Sequence, residues 1–393
     1  MFSWNQLHRG VKAIFFIQIV NRMGDFVVPF LTLILTQVQG FNPGVAGLVV
    51  TLATAMGSLG GLVAGKLSDH LSRRDVLFGF LGTSGLLLGF CGFAPASPWA
   101  LVAMVTAEFF LGAMRPALGA LVADLSAPET RRAAFSLSYL GINLGVSVGP
   151  LLAGWLFLHA LSWLFWLDAL STAAALAILV RFVPRHTHPT AAPRDPGAVP
   201  RSSLAVFFRH RVLLPLSLLF LVYNFVYAQL IFTLALQMVA LFGKQGPANY
   251  GLVWAVNGMA VLALTPLALR FTKTWTNLGS MALGMAFFAV GIAIFLFEPS
   301  LLWVLVSAVF WTAGEVLVSI HYGDLVTSVS PPEFRGRFQG YVGFLGGLGF
   351  VISPLASGLI AEAVGLTGAW GVATVSVALV GIGFKLLESR TPR

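Results

Sequence analysis

Long apolar runs, each about the length of a membrane crossing, make up most of this sequence and are joined by short polar connections. A helix that crosses a bilayer needs about 20 mostly apolar residues, because lipid offers no partners to backbone N–H and C=O groups. Charged residues form 9% of the chain, whereas a soluble domain carries about 25%. The sequence therefore predicts an all-α integral membrane protein. Its predicted transmembrane helices, twelve in number, cover residues 12–37, 43–65, 76–95, 99–123, 134–158, 162–183, 212–241, 248–270, 277–297, 301–325, 338–362 and 367–387.

Basic residues mark one side of these predicted spans. With the N-terminus in the cytoplasm, every one of the 23 Lys and Arg residues lies at an inner end or loop except Lys244, Arg22 and Arg115. Cytoplasmic loops of membrane proteins are enriched in Lys and Arg, so both termini are predicted to be cytoplasmic, in a bacterial inner (plasma) membrane. The net charge of +9 is spread over separate loops, which argues against nucleic-acid binding.

Neither a metal nor another cofactor is expected. Cys91 is the single cysteine, and His186 and His188 have no third ligand nearby in the sequence. A phosphate-binding G-x-x-x-x-G-K-[ST] loop is also missing, so the sequence does not support direct use of ATP. The expected partners are a small-molecule substrate, protons and the lipid bilayer, and the protein is expected to be a monomer.

A linker rich in Pro and Arg divides the spans six and six. The predicted parts are an N-terminal six-helix bundle at 1–183, a cytoplasmic linker at 184–211 and a C-terminal six-helix bundle at 212–393. A shift of 204 positions aligns the two halves and places Gly349 on Gly145, Pro354 on Pro150 and Gln229 on Asp25. Such an internal repeat is typical of secondary transporters that bind their substrate between two pseudo-symmetric halves.

The connection between spans 2 and 3, GKLSDHLSRR, resembles the loop signature of the major facilitator superfamily. The matching residues are Gly65, Asp69, Arg73 and Arg74. The resemblance covers nearly the whole chain and implies the major facilitator fold, with transport by alternating access. It also implies that this connection is a gating loop in which Asp69 contacts neighbouring helix ends.

Span 5, GINLGVSVGPLLAGW, is similar to the Gly-x-x-x-Gly-Pro signature of the drug:proton antiporter branch of that superfamily. The matching residues are Gly145, Gly149, Pro150 and Gly154. Small residues four apart allow close helix packing, and packing alone is the alternative interpretation. The resemblance implies a span that seals the outer side and favours export.

Charged side chains inside the predicted spans are the candidates for proton coupling. A charge at the bilayer centre costs about 2.5 to 3.5 kcal/mol on insertion scales, so each one needs a partner, a cavity or neutralisation. Asp25 in span 1 is the first candidate, with Glu108 in span 4 and Glu315 in span 10 as runners-up. Arg22 lies three residues before Asp25, on the same helical face. Arg22 and Arg115 are interpreted as members of intramembrane ion pairs.

Aromatic and amide side chains near the middle of the spans are candidate substrate-binding residues, because they combine apolar contact with adaptable hydrogen bonds. These candidates are Tyr139, Asn143, Tyr223, Asn224, Tyr227, Gln229 and Asn257. Ordinary interhelical hydrogen bonding is the alternative for each. Asp124 and Asp324 are assigned to cytoplasmic gating networks, and His321 to packing.

The expected function is secondary transport, with small lipophilic or cationic compounds exported in exchange for protons, as in multidrug efflux. One alternative is proton-coupled uptake of a nutrient such as a peptide or sugar. Another is an integral membrane enzyme that modifies lipids. An enzyme would need a His/Asp or Ser/His/Asp arrangement at one interface, and the sequence does not indicate one, so no enzymatic activity is expected.

Overall fold

The structure, a computed structural model, describes residues 7–68, 70–127, 129–185, 203–330 and 335–389. Within these ranges all regular secondary structure is helical, as the sequence predicts. The α-helices are α1 (Arg9–Met23), α2 (Val27–Leu33), α3 (Pro43–Leu67), α4 (Arg73–Cys91), α5 (Pro98–Leu111), α6 (Met114–Asp124), α7 (Arg131–His159), α8 (Leu161–Phe182), α9 (Ser203–Arg209), α10 (Leu213–Phe242), α11 (Gly246–Phe271), α12 (Asn277–Ala293), α13 (Leu301–Val329) and α14 (Arg335–Ser389). A π-helical turn, Ile34–Val38, extends α2.

Serine and proline fix the starts of two of these helices. Ser72 Oγ accepts a hydrogen bond from the Asp75 N–H at the start of α4, and Ser97 Oγ accepts one from the Ala100 N–H at the start of α5, both at 3.1 Å. Such caps satisfy N–H groups that have no partner within the helix. Pro98 opens α5, at a position where its missing N–H costs no helical hydrogen bond.

The described residues contain ten helical segments that are long and apolar enough to cross a membrane. Twelve spans are predicted from the sequence, and the difference lies in two long segments, Leu213–Phe271 with 59 residues and Arg337–Ser389 with 53 residues. Each contains one glycine with positive φ, Gly243 at +52° and Gly365 at +76°. Since about 20 residues suffice for one crossing, the count of twelve stays a prediction.

Large apolar side chains are exposed along these segments. Leu86 and Phe297 leave 78% and 80% of their surface uncovered. Soluble monomers rarely expose extended apolar surface, whereas a bilayer covers it. The structure is thus that of a multi-pass membrane protein.

The chain divides into two compact units. The first consists of Met1–Asn42, Val49–Ala192 and Phe242–Gly258, and the second of Pro43–Leu48, Pro193–Leu241 and Met259–Arg393. In the first unit, α1, α4, α6 and α8 share an apolar core that includes Ile14, Leu77, Leu118 and Leu176. The predicted boundary at residues 184–211 stays a prediction, because most of that stretch lies outside the described residues.

The second unit packs the start of α3 against α14 through glycines. A Cβ atom added to Gly47 would overlap the carbonyl oxygen of Pro354, and one added to Gly358 would overlap that of Pro43. The two backbones therefore approach as closely as the absence of a side chain allows.

The first unit contains the same arrangement between the start of α11 and α7. Gly251 lies against the carbonyl oxygen of Pro150, and Gly154 lies against that of Pro247. Each of these residues is displaced by 204 positions from its counterpart in the second unit. The shift that aligns the sequence halves therefore also relates these close backbone contacts.

Span 1 departs from the continuous helix that was predicted over residues 12–37. Helix α1 ends at Met23, Gly24 to Phe26 are not helical, and α2 begins at Val27. Pro29 supplies a physical reason, because a proline ring inside a helix clashes with the carbonyl four residues earlier, here that of Asp25. With the break, Pro29 lies in the first turn of α2, where it is tolerated.

Candidate functional site

The break in span 1 is held by one turn of α8. Oδ2 of Asp168 accepts hydrogen bonds from the backbone N–H groups of Phe26 and Val27, both at 3.1 Å. A Cβ atom on Gly24 would overlap the side chain of Ser171, so only glycine fits there. Asp168 is 4% exposed, and the two N–H groups compensate for its burial, because an unpaired buried polar group costs about 1 to 3 kcal/mol.

Asp25 lies in the break itself and pairs with the arginine one turn earlier. Nη1 of Arg22 is 2.8 Å from Oδ2 of Asp25, and their side chains are 24% and 18% exposed. The spacing of three residues thus brings the two charges together. Nε of Arg22 is buried without a hydrogen-bond partner among the described residues, so the guanidinium group has further capacity to donate.

Glu108 on α5 belongs to the same unit and is half-buried. Its Oε2 atom lies 3.6 Å from the position that a Cβ atom on Gly57 of α3 would occupy. The carboxyl groups of Asp25, Glu108 and Asp168 interact electrostatically with one another, and Arg22 interacts with Asp25 and Glu108. We call these four residues, Arg22, Asp25, Glu108 and Asp168, the charged cluster.

Helix α7 places its small residues against the helix that carries Arg22. A Cβ atom on Gly145 would lie 2.5 Å from the Cβ of Arg22, and one on Gly149 would lie 2.7 Å from the carbonyl oxygen of Met23. Pro150 and Gly154 contact the start of α11 instead. The span-5 signature therefore forms two close backbone contacts within the first unit.

Glu315, the acid predicted in span 10, lies in the second unit beside aromatic rings. The Tyr227 hydroxyl donates to Oε1 of Glu315 at 3.0 Å. The Tyr227 ring centroid lies 6.4 Å from that of Phe288 and 6.0 Å from that of Phe350. Tyr223 also packs against Phe288, at 5.9 Å.

The other predicted substrate-binding residues have varied surroundings. In the first unit, Tyr139 is 49% exposed, and the Asn143 amide donates to the Tyr139 carbonyl at 2.9 Å within α7. Asn257, also in this unit, is 4% exposed. In the second unit, the Nδ2 atom of Asn224 lies 2.9 Å from the position of a Cβ on Gly346. Gln229 is fully buried, and neither amide atom has a hydrogen-bond partner among the described residues.

The predicted gating loop is described in part. Nη1 of Arg73 lies 2.5 Å from Oδ2 of Asp124 at the end of α6, and Nη1 of Arg74 donates to the Val183 carbonyl at 2.9 Å. Gly65 has open space around it. Asp69 and the side chain of Arg115 lie outside the described residues, so their predicted roles remain predictions.

A polar network at the end of α13 includes His321. Its Nδ1 is 2.8 Å from Oδ1 of Asn277, and its Nε2 is 2.9 Å from Oγ1 of Thr272. Nδ2 of Asn277 in turn donates to Oδ2 of Asp324 at 2.9 Å. His321 is therefore more than a packing residue, because both of its ring nitrogens have polar partners.

Asp168 is the member of the charged cluster that the sequence interpretation missed. It stands in the apolar run WLFWLDALST of predicted span 6. A charged residue within a span is by default a functional-site hypothesis, so the signal was present in the sequence. Its partners, the N–H groups of Phe26 and Val27, could not be inferred, because the break that exposes them is a tertiary feature.

Comparison with known proteins identifies the class to which this chain belongs. A model described as Major Facilitator Superfamily matches residues 14–354, and the chain belongs to that superfamily. It is therefore a membrane transporter of the secondary type and not an enzyme. The peptide transporter POT, in a crystal structure with sulfate, superposes with a TM-score of 0.80 at 18% identity, over 99% of this chain and 96% of that one.

Relatives of similar length have names that describe different transport functions. The uncharacterized MFS-type transporter YqjV of Bacillus subtilis (strain 168) is 28% identical over 93% of this chain and 89% of its own. The 3-(3-hydroxy-phenyl)propionate transporter of Escherichia coli (strain K12) is 27% identical over 90% and 85%. The multidrug resistance protein MdtH of Aeromonas salmonicida (strain A449) is 26% identical over 81% and 79%.

Proposed function

We propose that the protein is a proton-coupled exporter of small lipophilic or cationic compounds, of the drug:proton antiporter kind. The observation that carries this proposal is the charged cluster, which contains three carboxyl groups and one guanidinium group, that of Arg22, paired with Asp25. With all four groups ionised, the cluster would hold an excess of negative charge in a medium of low dielectric constant, which is unfavourable. Proton binding removes that excess.

Asp25 is the residue that we assign to the coupling proton, with Glu108 and Glu315 as runners-up. Asp25 lies in the break of span 1, between the end of α1 and the start of α2. Its protonation would release Arg22 from the 2.8 Å ion pair. A group whose proton occupancy changes a contact can couple proton binding to a change of conformation.

The export direction and the substrate class draw on separate observations. The glycine contacts of α7 with α1 and α11 fit the resemblance of span 5 to the antiporter signature. In the second unit, Glu315 and the rings near it combine a carboxyl group with aromatic faces, and both attract organic cations. The similarity to MdtH favours the same class of substrate.

Proton-coupled uptake of a nutrient is the second candidate, because the 3-(3-hydroxy-phenyl)propionate transporter is comparably similar. A carboxylate substrate would have a partner in Arg22 once Asp25 is protonated, since the pair at 2.8 Å would then open. Under this candidate the proton and the substrate move in the same direction.

Transport by purified protein in liposomes with an imposed pH gradient distinguishes the two candidates by sign. An antiporter moves its substrate into the acidic compartment, whereas a symporter moves it into the alkaline one. Ethidium, whose charge is permanent, and 3-(3-hydroxyphenyl)propionate are the two probes, and protein-free liposomes measure leakage. Accumulation of ethidium on the acidic side supports export. Accumulation of 3-(3-hydroxyphenyl)propionate on the alkaline side supports uptake instead. No movement of either probe in response to the gradient would contradict proton coupling to these substrates.

We further propose that a monomer crosses the membrane twelve times with both termini in the cytoplasm. Five arginines lie at residues 184–211, and positive charges oppose translocation. A C91S/S202C variant should react with a membrane-impermeant maleimide only from the cytoplasmic side. Reaction from the outside would overturn the orientation.

A further inference from the structure

Asp168 makes the contacts that hold the break of span 1, although the proposed proton transfer does not require it. Its Oδ2 atom accepts from Phe26 and Val27 at 3.1 Å. Ser171, one turn further along α8, packs against Gly24 and donates from Oγ to the Asp168 carbonyl at 2.9 Å. One turn of α8 therefore contacts span 1 on both sides of Asp25.

Both hydrogen bonds end on a single oxygen atom, so a shift of α8 past the break would remove them together. The Phe26 N–H has a second acceptor, the Gly24 carbonyl oxygen at 3.0 Å, whereas the Val27 N–H is bonded to Asp168. Asp168 is 4% exposed, so bulk water does not reach it to replace lost bonds. A buried contact of this kind is either made or broken, as a conformational switch requires.

The charges that face Asp168 come from neighbouring elements. Asp25 in the break and Glu108 on α5 interact with it electrostatically, and Arg22 on α1 interacts with both of those acids. An ionised Asp168 repels negative charge at Asp25, and the strength of that repulsion depends on their distance. The hydrogen bonds of Asp168 therefore control its electrostatic effect on Asp25 as well as the shape of the break.

We propose that Asp168 is the positioning residue of the proton site. It anchors the break of span 1 to α8, and it sets the geometry and the charge around Asp25. This inference rests on the proposed proton coupling at Asp25, and it assigns a role to a residue that need not contact the substrate.

Two variants separate the charge of Asp168 from its hydrogen bonds. Asp168→Asn keeps an acceptor oxygen but removes the charge, and Asp168→Ala removes both. Asp75→Asn is the control, because it removes a carboxylate from the first unit whose ion pair with Arg185 is solvent-exposed. Each full-length protein is studied by hydrogen–deuterium exchange of the peptide covering residues 24–33 and by ethidium transport in liposomes at several pH values.

We expect the Asn variant to keep wild-type amide protection. The Ala variant should exchange about tenfold faster at Val27, whose N–H loses its acceptor, and should change less at Phe26, whose N–H keeps the Gly24 carbonyl. In transport, the pH of half-maximal rate should fall by about one unit in the Asn variant, since a negative charge beside the proton-binding carboxylate is gone. The control should keep the wild-type pH profile. A purely structural role would leave the profile of the Asn variant unchanged.

An Asn variant with the wild-type pH profile overturns the inference, and so does an Ala variant with wild-type amide exchange. If the Ala variant does not fold, the pH profile of the Asn variant decides. If wild-type transport does not respond to pH, the proposed function fails, and amide exchange alone then decides whether Asp168 positions the break. The two failures are thereby distinguished.

Discussion

Span 1 and α10 occupy the same place in the internal repeat but differ in backbone and in charge. Asp25 is aligned with Gln229 by the shift of 204 residues. Span 1 is broken at Gly24 to Phe26 and contains the Arg22–Asp25 pair, whereas α10 runs as one helix from Leu213 to Phe242. Gln229 is buried in that helix, and its amide has no hydrogen-bond partner among the described residues.

The repeat preserves the contacts of α3 with α14 and of α11 with α7, but it does not preserve the charged residues. The close contacts of Gly47 with Pro354 and of Gly251 with Pro150 recur in both units. The acids do not recur, since Glu108 is aligned with Thr312 and Asp168 with Val372. Without a break, α10 satisfies its backbone N–H groups within the helix, so it needs no acceptor such as Asp168.

The largest expected effect comes from removing the carboxyl group of Asp25, which α10 lacks at the aligned position. Asp25→Asn should abolish substrate accumulation driven by a pH gradient while permitting downhill exchange, because the amide imitates the protonated carboxyl group. The ratio of substrate concentrations inside and outside liposomes measures accumulation, and the movement of labelled substrate measures downhill exchange. If this variant still accumulates substrate, the coupling proton must be assigned to Glu108 or Glu315 instead.

Gln229→Leu is the matched variant at the aligned position of α10. It removes a buried amide without adding a charge, so coupling should persist, and the thermal unfolding midpoint should equal or exceed that of the wild type. Loss of coupling in this variant would mean that both halves of the repeat carry the proton chemistry.

Several of these features could be read from the sequence. The pairing of Arg22 with Asp25 follows from a spacing of three residues, and close packing at Gly145 and Gly149 follows from their spacing of four. The alignment by 204 residues also relates close contacts that the structure contains. These features are local or repeated, so short stretches of sequence determine them.

The break in span 1 could not be read in this way. Pro150 and Pro354 lie inside α7 and α14, which continue through them, so a proline does not by itself indicate a break. What distinguishes Pro29 is the tertiary setting, in which Gly24 fits against Ser171 and Asp168 accepts from Phe26, 142 residues away. A single sequence does not show which acid meets which freed N–H group.

A smaller effect tests whether the two glycine contacts are equivalent. Gly47→Ala and Gly251→Ala should each lower the thermal unfolding midpoint by several degrees, because overpacking costs about 1 to 3 kcal/mol. Gly79→Ala is the control, since its Cβ would meet open space, and a helical alanine there should raise the midpoint slightly. A large loss at one glycine and none at its counterpart would show that the packing is less symmetric than the geometry indicates.

The smallest expected effect concerns a hydrogen bond that is present in the contact of α3 with α14 and has no counterpart in the contact of α11 with α7. Oε1 of Glu362 accepts from the N–H of Gly44 at 2.9 Å, at the start of α3. The shift of 204 residues aligns Glu362 with Leu158, whose side chain cannot accept a hydrogen bond. Glu362→Gln keeps an oxygen acceptor but removes the negative charge that stabilises a helix N-terminus, so the unfolding midpoint should fall by only about 1 to 2 °C. Scanning fluorimetry measures this beside Gly47→Ala. A fall as large as that of the glycine variant would mean that Glu362, rather than backbone packing, holds α3 against α14.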